Sequence, residues 1–372
     1  MAVFIVCEFD PFHYGHEYII NKAHELRPGE PVICIMSGNF VQRGRPALYD
    51  EYLRARCAIE GGADLVLSLP FPWCCGSAEH FARGAVSVIA GLCSPGDVLV
   101  FGSECGDLER LERAAKILSS PEFEQKLARH VKATRQPYAA ARQALFDDPE
   151  LLSSQNDILG VEYVKACSAL CPDLNVIPVK RSRSFESSTE IRQSGSVLTH
   201  LPPYSARILS AGARADLEYA GRLILSHLRE SPYEKAADGE NGLIGRLHRA
   251  SFDSPDLAAL FSAASASGFT NARIRRVCIF SYLGVSVADL REAPLFTQLL
   301  AGNRAGTSFL ADTKKTRRIA VLTKPSKLTG LSPQACRRYS LQCRADRLYC
   351  FCTEKVQPAA AFIKATPYIS ES

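Results

Sequence analysis

The stretch F-D-P-F-H-Y-G-H-E-Y-I-I, Phe9 to Ile20, decides the fold of this chain. An apolar run, A-V-F-I-V-C, precedes it at Ala2–Cys7, and a helix-like pattern follows over His16–Leu26. A short apolar strand, a tight loop and a helix are the opening of an alternating α/β domain. The two histidines, three residues apart, therefore lie where a buried strand meets the start of a helix.

The histidine pair predicts a phosphate-binding loop. The first turn of a helix has free backbone N–H groups and the positive end of the helix dipole, so it attracts anions. His13 and His16 point the same way from that turn, and their ring N–H groups can bond a leaving pyrophosphate as its charge builds up. Gly15 lets the backbone approach a nucleotide. An incidental histidine pair is the alternative, and the preceding F-D-P-F argues against it.

The first 200 residues alternate strand-like and helix-like stretches. Short, continuous apolar strands between helices favour a parallel sheet covered on both faces, with ligands at the carboxyl ends of its strands. The predicted strands are Ala2–Phe9, Pro31–Met36, Asp64–Leu69, Asp97–Phe101 and Leu174–Val179.

After Leu201-Pro202-Pro203 the pattern becomes mainly helical up to residue 300, with strands predicted at Arg318–Thr323 and Leu348–Cys352. We therefore expect two domains, residues 1–202 and 203–372, and a length of 372 residues suits that number. The fold class is α/β, a parallel-sheet domain followed by a mainly helical one.

Composition argues against a membrane protein, a secreted protein and a zinc-ribbon protein. No apolar run reaches the roughly 18 residues of a membrane span, and the N-terminus lacks a basic lead-in, so a cytosolic protein without membrane contact is expected. The 14 cysteines of such a chain are expected to be reduced thiols. The spacing of Cys336, Cys343, Cys350 and Cys352 does not match a zinc ribbon, so no protein-held metal is predicted.

Charge is unevenly distributed along the chain. Residues 273–372 carry 17 Lys and Arg against 6 Asp and Glu, whereas residues 1–272 carry 27 against 33. A basic C-terminal part suggests a polyanionic partner, and a solvated basic face is an equal alternative on charge alone. The candidate RNA contacts are Arg273, Arg275, Arg276, Lys314, Lys315, Arg317 and Arg318.

Two further stretches lie at the ends of predicted strands. In M-S-G-N-F-V-Q-R-G, the side chains of Asn39, Gln42 and Arg43 can line a small polar substrate pocket, unless this stretch is only a structural turn. Gly102 ends the strand D-V-L-V-F, where a side chain would block a nucleotide, although it can equally be a turn glycine. Asn156 precedes a helix and is either an N-cap or a ligand contact.

The loop K-R-S-R-S-F-E-S-S-T-E-I-R, from Lys180, predicts a second phosphate-binding element. Positive charge from Arg181 and Arg183 precedes hydroxyl groups at a helix start, including that of Ser188, and Arg192 follows one turn later. A solvated basic loop is the alternative.

These motifs together resemble a known family. The H-x-G-H loop is similar to that of the nucleotidyltransferase superfamily, which has a Rossmann-like domain of the HUP type. S-G-N-F-V-Q-R-G, D-L-V-L-S-L-P, F-G-S-E, N-D-I-L-G-V-E-Y, S-S-T-E-I-R and R-A-D-R-L-Y resemble the bacterial tRNA(Met) cytidine acetate ligase family over nearly the whole chain. Two family asparagines are replaced here by Asp10 and Tyr14, and the family's K-R-Y-T by S-G-F-T at Ser267–Thr270.

The resemblance implies a function and a set of site residues. ATP with Mg²⁺ would activate acetate as acetyl-adenylate, which then acetylates N4 of the wobble cytidine of elongator tRNA(Met). His13 and His16 would be catalytic, assisted by Arg181 and Arg192, and no general base stands out. The implied ATP contacts are Cys7, Phe9, Asp10, Pro11, Phe12, His13, Gly15, His16, Gly102, Asn156, Arg181, Ser188 and Arg192.

Two other functions share some of these features. A small-molecule adenylyltransferase, of the nicotinamide or pantetheine phosphate type, would have the same histidine loop, but it leaves the basic C-terminal part and the chain length unexplained. A tRNA-binding module with a vestigial nucleotide site is opposed by the intact histidines and by S-S-T-E-I-R.

Overall fold

The computed structural model describes residues 1–134, 136, 138–182, 184–265, 269–324, 328 and 331–371. Arg183 of the predicted basic loop lies outside the described residues, as do Ser267 and Gly268 of S-G-F-T. The description below concerns the described part of the chain.

The strands form one large sheet and one small hairpin. They are β1 (Val3–Cys7), β2 (Val32–Ser37), β3 (Phe40–Val41), β4 (Arg45–Pro46), β5 (Leu65–Leu69), β6 (Val98–Ser103), β7 (Asn175–Lys180), β8 (Phe296–Gly302), β9 (Ala320–Leu322) and β10 (Tyr368–Ile369).

Helices surround the sheet and make up most of the chain after residue 203. They are α1 (Tyr14–Leu26), α2 (Glu51–Glu60), α3 (Ala78–Ala90), α4 (Leu108–Leu118), α5 (Pro121–Thr134), α6 (Tyr138–Leu145), α7 (Gln155–Leu170), α8 (Ser188–Gln193), α9 (Pro203–Leu209), α10 (Gly221–Glu230), α11 (Leu243–Asp253), α12 (Leu257–Ser265), α13 (Asn271–Leu283), α14 (Val287–Arg291), α15 (Arg304–Asp312), α16 (Pro333–Cys350) and α17 (Ala361–Lys364). None of the described helices is long and apolar enough to cross a membrane.

The five predicted strands of the first half are confirmed, and they pair in parallel with one another in the order β5-β2-β1-β6-β7. Alternate residues of β1 enter two hydrophobic clusters, Phe4 and Val6 on one face and Val3 and Ile5 on the other. Burial on both faces explains why these strands are continuously apolar. The strand order reverses at β1, so the crevice between the ends of β1 and β6 is where such a sheet binds ligands.

The sheet also contains a strand that the sequence did not predict. β8 lies antiparallel beside β5, with Leu65 opposite Gly302, and β9 and β10 pair with its other edge. Residues 204–300 were predicted to be helical, and all seven residues of β8 are buried. A short apolar run has the same pattern in a buried strand as in a buried helix, so periodicity could not separate them.

The strand predicted at Leu348–Cys352 is wrong. Helix α16 begins after the N-cap Ser332, whose side chain accepts a hydrogen bond from Ala335 N–H, and it continues through Cys350. The apolar run at its end is the last buried turn of a long helix. The strand predicted at Arg318–Thr323 is confirmed as β9.

The two halves of the chain share one hydrophobic cluster. The rings of Phe71 and Phe280 lie 6.0 Å apart, and Tyr349 Oη donates to Ala47 O at 3.0 Å. The mainly parallel sheet and the helical C-terminal half agree with the predicted fold class. The boundary at residues 202 and 203 stays a prediction, and β8 to β10 extend the first domain's sheet from beyond it.

Candidate active site

The histidine loop is organised by a reciprocal cap at the start of α1. His13 is the N-cap, and its Nδ1 accepts a hydrogen bond from Gly15 N–H at 3.0 Å. His16 Nδ1 in turn accepts from His13 N–H at 3.3 Å. Because the Nδ1 atom of each ring is an acceptor, each neutral ring carries its proton on Nε2. The cap therefore fixes the tautomer that presents an N–H donor beyond the loop.

Both histidines are held neutral. Burial, and then the charges of Arg181 and Arg192, lower the pKa of His13 to about 3. Burial and the neighbouring His13 lower the pKa of His16 well below its ordinary value. In this tautomer His13 Nε2–H donates a hydrogen bond to Ser188 Oγ, and the two heavy atoms lie 3.0 Å apart. The pair can thus donate hydrogen bonds to an anion without itself being charged.

The absence of a side chain at Gly15 is a steric requirement of this structure. A Cβ atom there would lie 2.9 Å from His13 Cε1, closer than real side chains pack. The glycine is therefore needed to seat the His13 ring against the helix start, in addition to the predicted approach of a nucleotide.

The second phosphate-binding element faces the first. Ser187 caps α8, its Oγ accepting from Glu190 N–H and its own N–H donating to Glu190 Oε2 at 2.7 Å. Arg192, one turn later, donates to Asp10 O of the histidine loop and to Thr189 Oγ1 at 3.1 Å. Hydroxyl groups and an arginine of α8 are thus brought against the two imidazoles.

A carboxylate that sequence reasoning missed joins two predicted contacts. Glu104 Oε1 accepts from Asn156 Nδ2 at 2.6 Å and lies 3.2 Å from Arg181 Nη1. Burial opposes its charge, but bonds from Ser154 and Asn156 and the charge of Arg181 lower the pKa of Glu104. It ends the F-G-S-E stretch that carried the resemblance, and a carboxylate just past a strand end was the available signal. Its effect is to hold Asn156 and Arg181 at the carboxyl edge of β6.

Asp10, which replaces a family asparagine, is an internal anchor. Its side chain is buried and lies 2.5 Å from Arg45 Nη2 and 3.6 Å from Arg192 Nη1, while Leu48 N–H donates to Oδ1 at 2.6 Å. Burial alone would raise the pKa of Asp10, but the charges of Arg45, Arg192 and Arg54 lower it. The carboxylate ties the histidine loop to the β3–β4 hairpin and to α8.

These groups surround a cavity of about 610 Å³ at the crevice between β1 and β6. Its lining contains most of the predicted ATP and substrate contacts: Cys7, Phe9, Asp10, His13, Gly15, His16, Gln42, Arg43, Gly102, Asn156, Arg181, Ser188 and Arg192. The fold therefore brings together most of the residues that the sequence analysis predicts as ATP and substrate contacts.

Three predicted residues lie outside that lining. The buried ring of Phe12 packs against Gly61, where a Cβ atom would lie 2.5 Å from its Cζ, and Pro11 is its chain neighbour. Asn39 is buried in a network, donating to Asp346 Oδ1 at 2.9 Å and accepting from Glu51 N–H at 3.0 Å. Its side chain is satisfied within the protein, so the predicted substrate contact of Asn39 has no support in this geometry.

The predicted RNA contacts separate into two places. Beside the cavity, Arg275 Nε donates to the carbonyl oxygen of the lining residue Arg43 at 3.2 Å, and Arg276, which also lines the cavity, pairs with Asp238 at 2.5 Å. Burial and the nearby cations Arg45, Arg43 and Arg276 lower the pKa of Arg275. Arg273 instead pairs with Glu240 at 3.3 Å.

The other predicted basic group, Lys314, Lys315, Arg317 and Arg318, lies away from the cavity. Arg318 Nη2 donates to Ala90 O at 2.8 Å, at the end of α3, whereas Ala78 at the start of α3 lines the cavity. A helix rises about 1.5 Å per residue, so the two ends of α3 are roughly 18 Å apart. A single RNA contact surface would have to extend over that distance.

Comparison with known proteins shows the family of this chain. A sequence model described as HIGH Nucleotidyl Transferase matches residues 1–361. A tRNA(Met) cytidine acetate ligase of Syntrophotalea carbinolica is 34% identical over 361 residues, covering 88% of this chain and 85% of the relative. The chain belongs to the tRNA(Met) cytidine acetate ligase family.

Other members of this family are equally well covered. The enzyme of Halothermothrix orenii, which carries the same name, is 30% identical over 363 residues, 86% of each chain. The crystal structure of Thermotoga maritima TmcAL bound with alpha-thio ATP superposes over 100% of both chains, with a TM-score of 0.90 and 28% identity. The fold of this family member is thus the fold of a protein crystallised with an ATP analogue.

Proposed function

We propose that this chain is an ATP-dependent tRNA(Met) cytidine acetate ligase that forms N4-acetylcytidine at the wobble position of elongator tRNA(Met). The observation that carries the proposal is the pair of neutral imidazoles, His13 and His16, with both Nε2–H groups directed away from the cap. The family members named for this reaction support the choice of substrates.

In the first step, an acetate oxygen attacks the α-phosphorus of ATP. The new O–P bond forms as the bond from the α-phosphorus to the bridging oxygen breaks, and pyrophosphate leaves with the electron pair. The Nε2–H groups of His13 and His16 donate to the departing oxygens, where charge increases most. Donors of this kind contribute about 10²- to 10³-fold each. Arg181 and Arg192 add positive charge beside them.

In the second step, the cytidine N4 amine attacks the acetyl carbonyl and AMP leaves. A base in the anticodon loop is unpaired and can be extruded into a pocket, which suits a cavity whose lining includes residues of the β3–β4 hairpin and of α13. Arg43 and Arg276 line the cavity, Arg275 is hydrogen-bonded to Arg43 O, and these three are the candidate phosphate contacts of the bound RNA. Their position supports entry of the tRNA beside the hairpin and α13.

Binding of Mg²⁺ together with ATP stays a prediction. Among the described residues there is no cluster of three His, Cys, Asp or Glu side chains that would cage a metal. Mg²⁺ that travels with a nucleotide keeps several waters and binds mainly through phosphates, so such a cluster is unnecessary. The hydroxyl groups of Ser188 and Thr189 line the cavity and suit contact with its waters. When bound, the ion would neutralise phosphate charge.

The test is formation of the product. Incubation with ATP, acetate and elongator tRNA(Met) should add one acetyl group to one cytidine, read by mass spectrometry of nuclease-digested tRNA. A tRNA with uridine at the wobble position is the matched control and should stay unmodified. Acetyl-coenzyme A should not replace ATP and acetate. An unmodified cytidine together with adenylyl transfer to a nicotinamide or pantetheine phosphate would instead identify a small-molecule adenylyltransferase.

A further inference from the structure

Aminolysis of an acyl-adenylate releases a proton from the attacking nitrogen, and N4 of cytosine is a weak nucleophile. A general base beside the acetyl group would accelerate this step by roughly 10²- to 10⁴-fold. The described residues that line the cavity include two carboxylates, Glu8 and Asp10, and two imidazoles. Carboxylates and imidazoles are the side chains whose ordinary pKa values leave them unprotonated near neutral pH, so these four are the candidates.

The imidazoles are poor acceptors. In each ring Nδ1 already accepts a backbone hydrogen bond, from Gly15 N–H to His13 and from His13 N–H to His16. The remaining nitrogen of each ring is protonated, so the rings face the cavity as donors.

Both carboxylate oxygens of Asp10 already have partners within the protein. One oxygen accepts from Leu48 N–H at 2.6 Å, and the other lies 2.5 Å from Arg45 Nη2. Its exposure is 1%, so a cytidine cannot reach it without breaking an internal ion pair.

Glu8 is oriented and accessible. It follows the last residue of β1, and its carbonyl oxygen accepts from the buried Arg54. Its Oε1 accepts from Gln42 N–H of the β3–β4 hairpin at 2.7 Å. Oε2 has no hydrogen-bond donor among the described residues and is not a buried atom. One oxygen is thus fixed to the hairpin, while the other has no donor and belongs to a side chain that lines the cavity.

The electrostatics suit a base. Burial raises the pKa of Glu8 above its ordinary value and outweighs the lowering effect of Arg45 and of the Gln42 N–H group. A carboxylate with a raised pKa is a stronger proton acceptor near neutral pH. The charged and titratable groups around it come from several elements: Cys7, Asp10, Arg45, Cys75, Tyr163 and Arg192.

We propose that Glu8 is the general base of acyl transfer, a role that rests on the function proposed above. The N4 lone pair forms the C–N bond to the acetyl carbonyl carbon. The C–O bond to the α-phosphate breaks, and AMP leaves with that electron pair. The N4 proton passes to Glu8 Oε2 and then to solvent. The products are N4-acetylcytidine, AMP and one proton.

The test separates the two half-reactions in Glu8→Gln. Glutamine is isosteric, and its Oε1 can still accept from Gln42 N–H, so the loop should keep its position. Acetate-dependent ATP–pyrophosphate exchange reports adenylate formation. Single-turnover transfer from preformed acetyl-adenylate to tRNA reports the second step. Glu112→Gln, an exposed change on α4, is the matched control.

We expect Glu8→Gln to lower transfer by about 10²-fold or more while exchange falls by less than about tenfold. In the wild type, transfer should rise with pH as Glu8 ionises, and that acidic limb should disappear in the variant. Wild-type transfer rates in Glu8→Gln, or equal losses in both assays, would overturn the role of base. Absence of acetate-dependent exchange in the wild type would instead overturn the proposed function itself.

Discussion

Replacing His13 with alanine and with asparagine separates its two roles. The ring caps α1 through Nδ1 and presents Nε2–H beyond the loop. Alanine removes both functions. Asparagine is among the best N-cap residues, so its short amide can still accept from the start of the helix, but it cannot reach the position of Nε2.

The two losses differ in size and in kind. Losing the cap costs about 0.5–2 kcal/mol of stability, which asparagine should largely restore. Losing the donor raises the activation barrier by about 2.7–4 kcal/mol, equal to 10²- to 10³-fold in rate, and asparagine should not restore it. His13→Ala is therefore expected to be less stable than His13→Asn, while both lose activity by similar factors.

Urea denaturation measures the first difference, and acetate-dependent ATP–pyrophosphate exchange measures the second. Saturating ATP in the exchange assay excludes a simple loss of affinity. If His13→Asn exchanged pyrophosphate within tenfold of the wild type, the Nε2–H group would not be the donor to the leaving pyrophosphate. If the two variants were equally stable, the cap would not contribute to folding.

Three further changes test other parts of the structure. Gly102→Ala adds a Cβ at an ordinary contact distance of 3.5 Å from Arg181 Cγ, so the thermal stability should be unchanged. The KM for ATP should rise, and an unchanged KM would show that Gly102 is not part of the nucleotide site. Burial raises the pKa of Asp346 to about 6, so the folded state binds its proton more tightly. Stability should therefore fall as pH rises from about 4 through 6, and Asp346→Asn should flatten that fall in urea titrations. Charge reversal of the exposed Lys314 and Lys315 should weaken tRNA binding and its salt dependence in filter assays but spare exchange; a loss of exchange as well would indicate a structural role.

Local sequence was sufficient for the parts of the site that are local in the chain. The strand, loop and helix around His13 and His16 could be predicted because each side chain is positioned by its own neighbours within a few residues. The five parallel strands were equally evident, since each is a short apolar run bounded by turn residues. Topology then brings the loops after β1, β6 and β7 to one edge of the sheet.

Features that depend on distant partners were beyond such reasoning. Asn39 resembles a pocket residue until α16 brings Asp346 beside it, more than 300 positions away. The role of Glu104 is evident only in the folded protein, where α7 brings Asn156 and the end of β7 brings Arg181 within hydrogen-bonding distance of it. β8 could not be predicted because it is held in the sheet by pairing with β5, and no local pattern in its own sequence indicates that partner.

Asp10 shows how such a distant contact changes the interpretation of a substitution. An aspartate in place of a family asparagine adds a negative charge to the loop that contains His13 and His16. In the structure that charge is neutralised from both sides, by Arg45 of the hairpin and Arg192 of α8. Leaving a buried charge without a partner costs about 3–5 kcal/mol, so replacing both arginines is expected to destabilise the loop by about that amount. The same pairing leaves Glu8 as the accessible carboxylate among the described residues that line the cavity, and thus assigns the two acidic residues of this loop different roles.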